Sequence, residues 1–404
     1  MATLLVRGCM RRRSFLRRPR VFLNYIVLGI GAFAIRMVSF WVLPKKYFLD
    51  SRKILGMLLY DRSYDPAYNF VASIYRKLNF FKLTSLEEWA LIVALVMIPL
   101  ILIWWYRCRI HGRIQEFFLI ATMAFSSIYT FGLTKDLIQF VIFLAIAMIL
   151  HAKRLSERQK VWLTAGVLLI ESLCFRKYFL LSTLMFVAIW KIHCIVTGRW
   201  QKSIFNYGMF IVCIFGVLLG GILVVSLVDK KSFYDIALAR HLANDYRMGS
   251  TDAQTMILEP FGISSNMAKF SLNYLVNFAR LSLPIELVWH GVKYWFALIY
   301  ILLLNVRLWH MELRMGGHAV LVGHLVLAFV MVSVIFEPDF GSWLRHCVAL
   351  APVSFLLFGV KEKKEKYERF NICNCSNLQC RGLSGTVSNQ YFRAELRQIR
   401  SDSD

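Results

Sequence analysis

Apolar residues in this chain are gathered into long blocks, and they are not spaced at the period of a surface helix or a half-buried strand. Most of the blocks have about the 17 to 25 residues that a helix needs to cross a bilayer. We count ten, at 21–43, 89–106, 117–133, 137–152, 161–174, 179–196, 205–228, 294–309, 319–336 and 347–360. The pattern predicts an all-α fold, a polytopic membrane helix bundle of about ten transmembrane helices.

The basic residues predict the orientation of this bundle. With ten crossings, the compact basic connectors CRIHGR, HAKRLSERQK, TGRWQK, VRLWHMELR and KEKKEKYERF all fall on the side of the basic N-terminus. The positive-inside rule then places both termini in the cytoplasm. We therefore divide the chain into a cytoplasmic N-terminus (1–20), a membrane domain (21–360) and a polar tail (361–404) that we expect to be disordered.

The opposite face carries two long segments, 44–88 and 229–293, which we expect to contain interfacial helices at 51–60 and 268–286. Binding and chemistry tend to be found in such loops. The net charge of +24 would indicate nucleic acid in a soluble protein, but here it fits cationic loops against anionic lipid. No zinc-finger, RRM or helix-turn-helix pattern is present, so we predict membrane lipid and no nucleic acid as a partner.

Nine cysteines, an odd number, give no disulfide framework. Three of them form a C-x-C-x4-C run in the tail, Cys373, Cys375 and Cys380, but neither a second cluster nor a nearby histidine completes a zinc site. We expect free thiols there, and neither a metal nor a cofactor.

Ionisable residues at the ends of membrane spans are costly, and each is therefore a functional hypothesis. Lys135 and Asp136 occupy the hairpin FGLTKDLIQF, where the alternative is an ordinary turn with a helix-starting aspartate. Arg176 and Lys177 occupy the turn CFRKYFLL on the side where positive charge is disfavoured. An anionic ligand accounts for them, because an arginine fork suits phosphate oxygens; snorkelling to lipid headgroups is the alternative.

A third group lies in FEPDFGSWLRHC, where Glu337, Asp339, Arg345 and His346 crowd one short outer connection. We expect Asp339 to pair with Arg345, and the density of titratable groups favours a site. Arg36 lies inside the first span, on its outer half, where it either snorkels outward or joins the outer cations.

The first outer segment alternates charged residues with aromatic ones. Its charged members and one tyrosine are Asp50, Arg52, Asp61, Asp65 and Tyr68. Carboxylates beside aromatic rings suit carbohydrate, although composition alone favours an ordinary interfacial loop. All four groups converge on one face, which predicts a site for a phosphorylated, membrane-embedded substrate approached from outside the cytoplasm.

These segments resemble those of bacterial oligosaccharide-repeat-unit polymerases of the Wzy/EpsG type. The segment FGLTKDLIQFVIFL resembles their (S/T)K(D/E)xxQFxxF run, and FEPDFGSWLRHCVALAPVSFLLF resembles their last outer turn and final span. The stretch SRKILGMLLYDRSYDPAYNFVASIYRKLNFF is similar to their first outer loop, and CFRKYFLL to their short basic turn. The similar segments extend from the first outer loop to the last span, in the same order and on the same side.

The resemblance implies a metal-independent glycosyltransferase of the bacterial cytoplasmic membrane, similar to GT-C enzymes and O-antigen ligases. Such enzymes move a growing glycan from its undecaprenyl diphosphate to the next lipid-linked repeat unit at the outer face. The implied partners are undecaprenyl-diphosphate-linked oligosaccharide, a chain-length regulator and a flippase.

Under this hypothesis the reaction needs cations for the leaving diphosphate and a base for the acceptor hydroxyl. The candidates for diphosphate and glycan binding are Arg36, Arg52, Lys135, Asp136, Arg176, Lys177 and Tyr178, with Arg345 as a catalytic cation. The candidate bases are Asp61, Asp65, Asp339 and His346, the last oriented by Asp339.

Two alternatives remain open at the level of sequence. A glycosyltransferase that uses a polyprenyl-phosphate sugar, or an O-antigen-ligase-like enzyme, would have a similar outer site. In the polyprenyl-phosphate-dependent enzyme, an acid of the first outer loop would be the dominant residue of that site. A polysaccharide or lipid-linked-sugar exporter would place charges along a path through the bundle. The spans are almost free of charge apart from Arg36 and Glu171, which disfavours the exporter.

Overall fold

The computed structural model describes residues 19–60, 62–108, 112–199, 204–245, 255–314 and 318–359. Within these ranges the chain is helical, and a single β-bridge joins Met256 to Asp339. The helices are α1 (Pro19–Val42), α2 (Leu49–Tyr60), α3 (Pro66–Leu78), α4 (Leu86–Arg107), α5 (Arg113–Tyr129), α6 (Lys135–His151), α7 (Glu157–Cys174), α8 (Phe179–Arg199), α9 (Ile204–Val228), α10 (Lys230–Ala237), α11 (Ala239–Asp245), α12 (Met267–Ser282), α13 (Val292–Arg314), α14 (His318–Phe336), α15 (Phe340–Ala349) and α16 (Ala351–Gly359). Two short 3₁₀ helices, Lys45–Phe48 and Ile285–Val288, precede α2 and α13. The all-α class predicted from the sequence is confirmed.

Nine of the ten apolar blocks coincide with one helix each, and the tenth, 347–360, covers the end of α15 and all of α16 that the structure describes. Five described helices, α1, α4, α8, α9 and α13, are long and apolar enough to cross a membrane, and the bent pair α15 and α16 makes six if it counts as one span. The chain is therefore a multi-pass membrane protein. Ten crossings and the placement of the termini stay predictions.

Polar residues begin many of the helices. The Ser85 side chain accepts from the backbone N–H of Glu88, whose carboxylate accepts from the Ser85 N–H in return, and this capping box starts α4. Ser156 and Gln159 start α7 in the same way. The interfacial segments predicted at 51–60 and 268–286 are indeed helical, as α2 and α12. The buried face of α12 includes Asn273 and Asn277, and α12 is not among the helices apolar enough to span.

The helix α14 forms the centre of the bundle. Its residues from Val320 to Ile335 are buried on all sides, and α14 contacts α8, α12, α13 and α16. A helix that is apolar all round is expected in such a position. In contrast, only 17% of the most apolar 18-residue stretch of α1, and likewise of α9, is buried, so lipid would surround much of these helices.

The last outer connection differs from the prediction. The sequence predicted a short, tight connection at 337–346 before one final span, but residues 340–349 form helix α15, and α16 follows at an angle of 67°. Pro352 explains the break, because its ring has no N–H to donate and clashes with the preceding turn of a continuous helix. The bend places Arg345 and His346 on a helix that contacts α6.

Candidate functional site

Five parts of the chain that are far apart in sequence meet at one end of the bundle: α2, α3, the start of α6, the turn after α7, and the turn before α15 with α15 itself. Together they contribute a charged cluster, which consists of Asp50, Tyr68, Lys135, Asp136, Arg176, Glu337, Arg345 and His346. The structure brings together five residues that the sequence analysis named as candidates for the site: Lys135, Asp136, Arg176, Arg345 and His346.

Asp136 is the buried centre of this cluster. Its side chain is fully buried, and Oδ2 accepts hydrogen bonds from Nε and Nη2 of Arg345 at 2.9 and 2.8 Å. Its Oδ1 lies 3.4 Å from Nη2 of Arg176. Thr134 caps α6, so Asp136 also lies in the first turn, where the helix dipole favours a negative charge. The carboxylate of Asp136 therefore holds two arginines in fixed positions.

The pairing that the sequence predicted for Arg345 is wrong. The carboxylates that bind Arg345 are those of Asp136 and Asp50, and Asp50 Oδ2 accepts from Nη2 at 2.9 Å. Asp339 instead caps α15, where its Oδ1 accepts from the backbone N–H of Ser342 at 2.7 Å. A short polar side chain just before a helix is a common way to satisfy its free N–H groups.

Asp50 and Tyr68 bring the first outer segment into the cluster. The Tyr68 hydroxyl donates to Oδ1 of Asp50, whose other oxygen accepts from Arg345. Burial alone would raise the pKa of Asp50, but the charges of Arg345 and Lys135 and the hydrogen bond from Tyr68 hold it well below its usual range. Burial and the charge of Asp50 raise the pKa of Tyr68. Asp50 is thus a carboxylate and Tyr68 a neutral donor at ordinary pH.

Arg176 is offered more acceptors than it can satisfy. Its Nη1 lies 2.8 Å from Gln139 Oε1, 2.8 Å from the Tyr178 hydroxyl and 2.9 Å from His346 Nε2. A guanidinium NH₂ group carries two hydrogens, so three acceptors cannot each receive a full hydrogen bond. One of the three acceptors therefore keeps a lone pair that Arg176 does not satisfy.

His346 and Glu337 form a dyad. Nδ1 of His346 contacts Oε1 of Glu337, and Nε2 faces Arg176. Because a guanidinium only donates, Nε2 is the acceptor, and Nδ1 carries a proton that it donates to Glu337. Burial alone would raise the pKa of Glu337, but His346 and Arg176 keep it low. The acid that orients His346 is therefore Glu337, whereas the sequence predicted Asp339.

Two cations of the cluster have donors that are not used within the described part of the chain. Lys135 Nζ lies 3.9 Å above the ring centre of Tyr68 and has no hydrogen-bond partner there. Arg345 uses Nε and Nη2 for its carboxylates, which leaves Nη1. Lys53 adds a further ammonium 5.5 Å from the same tyrosine ring. Side chains of this kind bind phosphate oxygens or sugar hydroxyls.

The predicted acids of the first outer segment lie elsewhere. Asp65 is exposed and caps α3, where its carboxylate accepts from the N–H groups of Ala67 and Tyr68 at 2.9 and 3.1 Å. Asp61 lies outside the described residues.

Three predicted cations take no part in the charged cluster. Arg36 is buried and donates to the carbonyls of Ser127 and Ile128 at 3.3 and 3.4 Å, at the C-terminal end of α5. Arg52 and Lys177 are exposed, on α2 and in the turn before α8. Tyr178, in contrast, contacts the cluster, because its hydroxyl accepts from Arg176 and its ring stacks on Phe336.

Gln139, which binds Arg176, was not singled out from the sequence. It lies three residues after Asp136, and this spacing puts both side chains on one face of α6, a signal that the motif KDLIQ already contained. Asp50, Tyr68 and Glu337 were noted as parts of their segments but were given no role. Their roles depend on contacts between distant segments.

Comparisons with protein-family models, with curated proteins and with solved structures found no match to this chain. No group of three His, Cys, Asp or Glu side chains within the described ranges is arranged to hold a metal ion.

Proposed function

We propose that this protein polymerises oligosaccharide repeat units linked to undecaprenyl diphosphate. The observation that carries the proposal is the charged cluster, in which unused donors of Lys135 and Arg345 lie beside the dyad of Glu337 and His346. A transfer from a lipid diphosphate requires both elements, because charge develops on the leaving group while the acceptor hydroxyl loses a proton. The resemblance of the surrounding segments to Wzy/EpsG-type polymerases supports the same function.

The proposal includes a topology and a location. The chain crosses the cytoplasmic membrane of a bacterium ten times, with both termini in the cytoplasm, so that the charged cluster lies at the outer face. The lipid-linked glycan reaches the charged cluster after transport across the membrane, which implies a flippase as a partner. The resemblance to the polymerases implies a chain-length regulator as a second partner.

In the reaction, the acceptor hydroxyl oxygen bonds to the anomeric carbon as the bond from that carbon to the diphosphate oxygen breaks. Lys135 and Arg345 donate to the departing diphosphate. Nε2 of His346, as the one of the three acceptors around Arg176 Nη1 that receives no hydrogen, takes the hydroxyl proton. Asp50 is unsuited to be the base, because its low pKa makes it a weak proton acceptor. Glu337 stabilises the imidazolium that forms, and Asp136 keeps both arginines in place.

The charge balance of the cluster explains how it would hold a diphosphate. Lys135, Arg176 and Arg345 are formally matched by Asp50, Asp136 and Glu337, and Lys53 supplies the excess positive charge next to Tyr68. Binding therefore depends on directed donors in a partly buried site more than on a broad positive field.

The test is the glycan profile of a bacterial strain that lacks the gene and is complemented with variants. We expect Lys135→Ala, Arg345→Ala and His346→Ala to reduce long polymer at least about 100-fold, in line with the loss of a transition-state donor or base. Single lipid-linked units should accumulate. Lys230→Ala, which removes an exposed cation on α10, serves as the matched control and should retain polymer.

Two outcomes would contradict the proposal. One is normal polymer in the three cluster variants at wild-type protein levels. The other is accumulation of an incomplete repeat unit in the deletion strain, which would show an enzyme that adds one sugar.

One observation favours the alternative function, a glycosyltransferase that adds a single sugar. Asp50, an acid of the first outer segment, is held in the cluster by Arg345 and Tyr68, as expected for a glycosyltransferase that uses a polyprenyl-phosphate sugar. The lipid-linked intermediates of the deletion strain distinguish the two functions.

A further inference from the structure

An apolar groove of about 650 Å³ lies between α1 and α4, away from the charged cluster. Its walls are almost wholly carbon. Several of its lining residues, such as Ile30 and Leu95, are 64% and 57% exposed, so the groove opens to the outside of the bundle. Both helices are long and apolar enough to span, and the groove therefore faces lipid tails.

One end of the groove carries polar groups. Tyr25 of α1 and Tyr106 of α4 lie there, next to Arg107 at the end of α4. Arg107 is exposed and has no ion-pair partner in the described part of the chain, and its methylene stem lines the groove. Such a side chain snorkels to the headgroup region and offers a forked donor to a phosphate.

The length of the groove matches one leaflet. From Ala94 to Arg107, α4 rises about 20 Å, and the lining part of α1 rises about 12 Å. Half of a hydrocarbon core is about 15 Å deep. An acyl chain of a phospholipid from the leaflet on the Arg107 side fits these dimensions, whereas a polyprenyl chain is much longer than the groove.

We propose that this groove is a binding site for one anionic phospholipid, with an acyl chain between α1 and α4 and the phosphate on Arg107. The positive-inside rule assigns that leaflet to the cytoplasm, because Arg107 directly precedes the basic connector CRIHGR. The site is separate from the charged cluster and independent of the proposed reaction.

The experiment is native mass spectrometry of the full-length protein in detergent, titrated with phosphatidylglycerol or phosphatidylcholine. Wild type should bind one phosphatidylglycerol in preference to phosphatidylcholine. Arg107→Gln should weaken binding of phosphatidylglycerol about tenfold, or about 1.4 kcal/mol, and remove the preference. Arg113→Gln, at an exposed arginine on α5, is the matched control and should behave as wild type.

A second pair of variants tests the groove itself. Leu95→Trp fills it and should abolish binding of both lipids, while Val96→Trp, at a neighbouring position that is 60% exposed and does not line the groove, should leave binding intact. Two results would overturn the proposal: equal binding of the two lipids by wild type, or equal binding by the two tryptophan variants.

Discussion

At the scale of single residues, some members of the charged cluster hold the others in place, and some have hydrogen-bonding groups that remain unused. Asp136 is fully buried and bound on both oxygens, so its role is to fix Arg176 and Arg345. Removing one partner of a buried ion pair costs about 3–5 kcal/mol, so loss of function in an Asp136 variant would also report loss of structure. Lys135 gives the cleaner test of the proposed reaction, because it has no hydrogen-bond partner in the described part of the chain.

Arg36 shows how a buried charge in a span can support the backbone. Its guanidinium packs against Gly132 and donates to the last carbonyls of α5, which have no partner within their own helix. The same turn is held by Tyr75, whose hydroxyl donates to the Thr134 carbonyl at 2.8 Å. Arg36 and Tyr75 thus support the backbone that leads into Lys135.

Gly132→Ala is expected to destabilise the protein by about 1–2 kcal/mol. A Cβ at this position would lie 2.3 Å from Nη2 of Arg36, so the guanidinium must leave the α5 carbonyls. Thermal unfolding in detergent measures the effect. Gly166→Ala is the matched control, because a Cβ there has open space and alanine favours a helix. Equal melting temperatures of the two variants would contradict the role given to Arg36.

At the scale of elements, short helices position the reactive side chains. The helix α15 has ten residues and is separated from α16 by a bend, and its first turn is anchored by Asp339. Both Arg345 and His346 lie on α15, so its start and direction fix their distances to Asp136 and Glu337. By capping α15, Asp339 therefore affects the positions of Arg345 and His346, although it is not among the groups assigned to the proposed reaction.

Substitutions at Asp339 separate a capping role from a catalytic one. Asp339→Asn should preserve polymer, because asparagine caps a helix about as well as aspartate. Asp339→Ala should cost about 1 kcal/mol of stability and lower the yield of folded protein. Glycan length and melting temperature are measured for both variants. Loss of polymer in Asp339→Asn at normal stability would mark Asp339 as the base, against the geometry.

At the scale of the whole molecule, the charged cluster exists because an early and a late segment of the chain come together. Asp50 belongs to the second described helix and Arg345 to the last bent pair, yet their side chains are 2.9 Å apart. Between them, α6 and the turn after α7 supply Asp136 and Arg176. The central helix α14 carries almost no polar side chains and acts as the support around which these segments are arranged.

The proposed topology predicts which connectors face outward. In a background without the native cysteines, Lys177→Cys should react with a membrane-impermeant thiol reagent in intact cells. Lys153→Cys, also exposed but in the connector after α6, should react only after lysis. Labelling extent on gels is the measurement. The reverse pattern would place the charged cluster on the cytoplasmic side and overturn the outer-face reaction.

The sequence by itself determined the helical class, the positions of the apolar helices and most of the charged residues of the site. These depend on local properties: the length of an apolar block, the cost of a charge at a span end, and the capping preference of Ser, Thr and Asp. Lys135, Asp136, Arg176, Arg345 and His346 stood out because such residues are rare beside spans.

Only the tertiary structure decided which charged side chains pair with each other. Asp339 and Glu337 lie two residues apart and both precede α15, yet one caps the helix and the other binds His346. Asp50 and Asp65 lie in the same helix–loop–helix segment, yet of these two only Asp50 reaches Arg345. The reason is physical: an ion pair depends on distances of about 3 Å between side chains, and helix packing sets those distances between segments that the sequence separates by hundreds of residues.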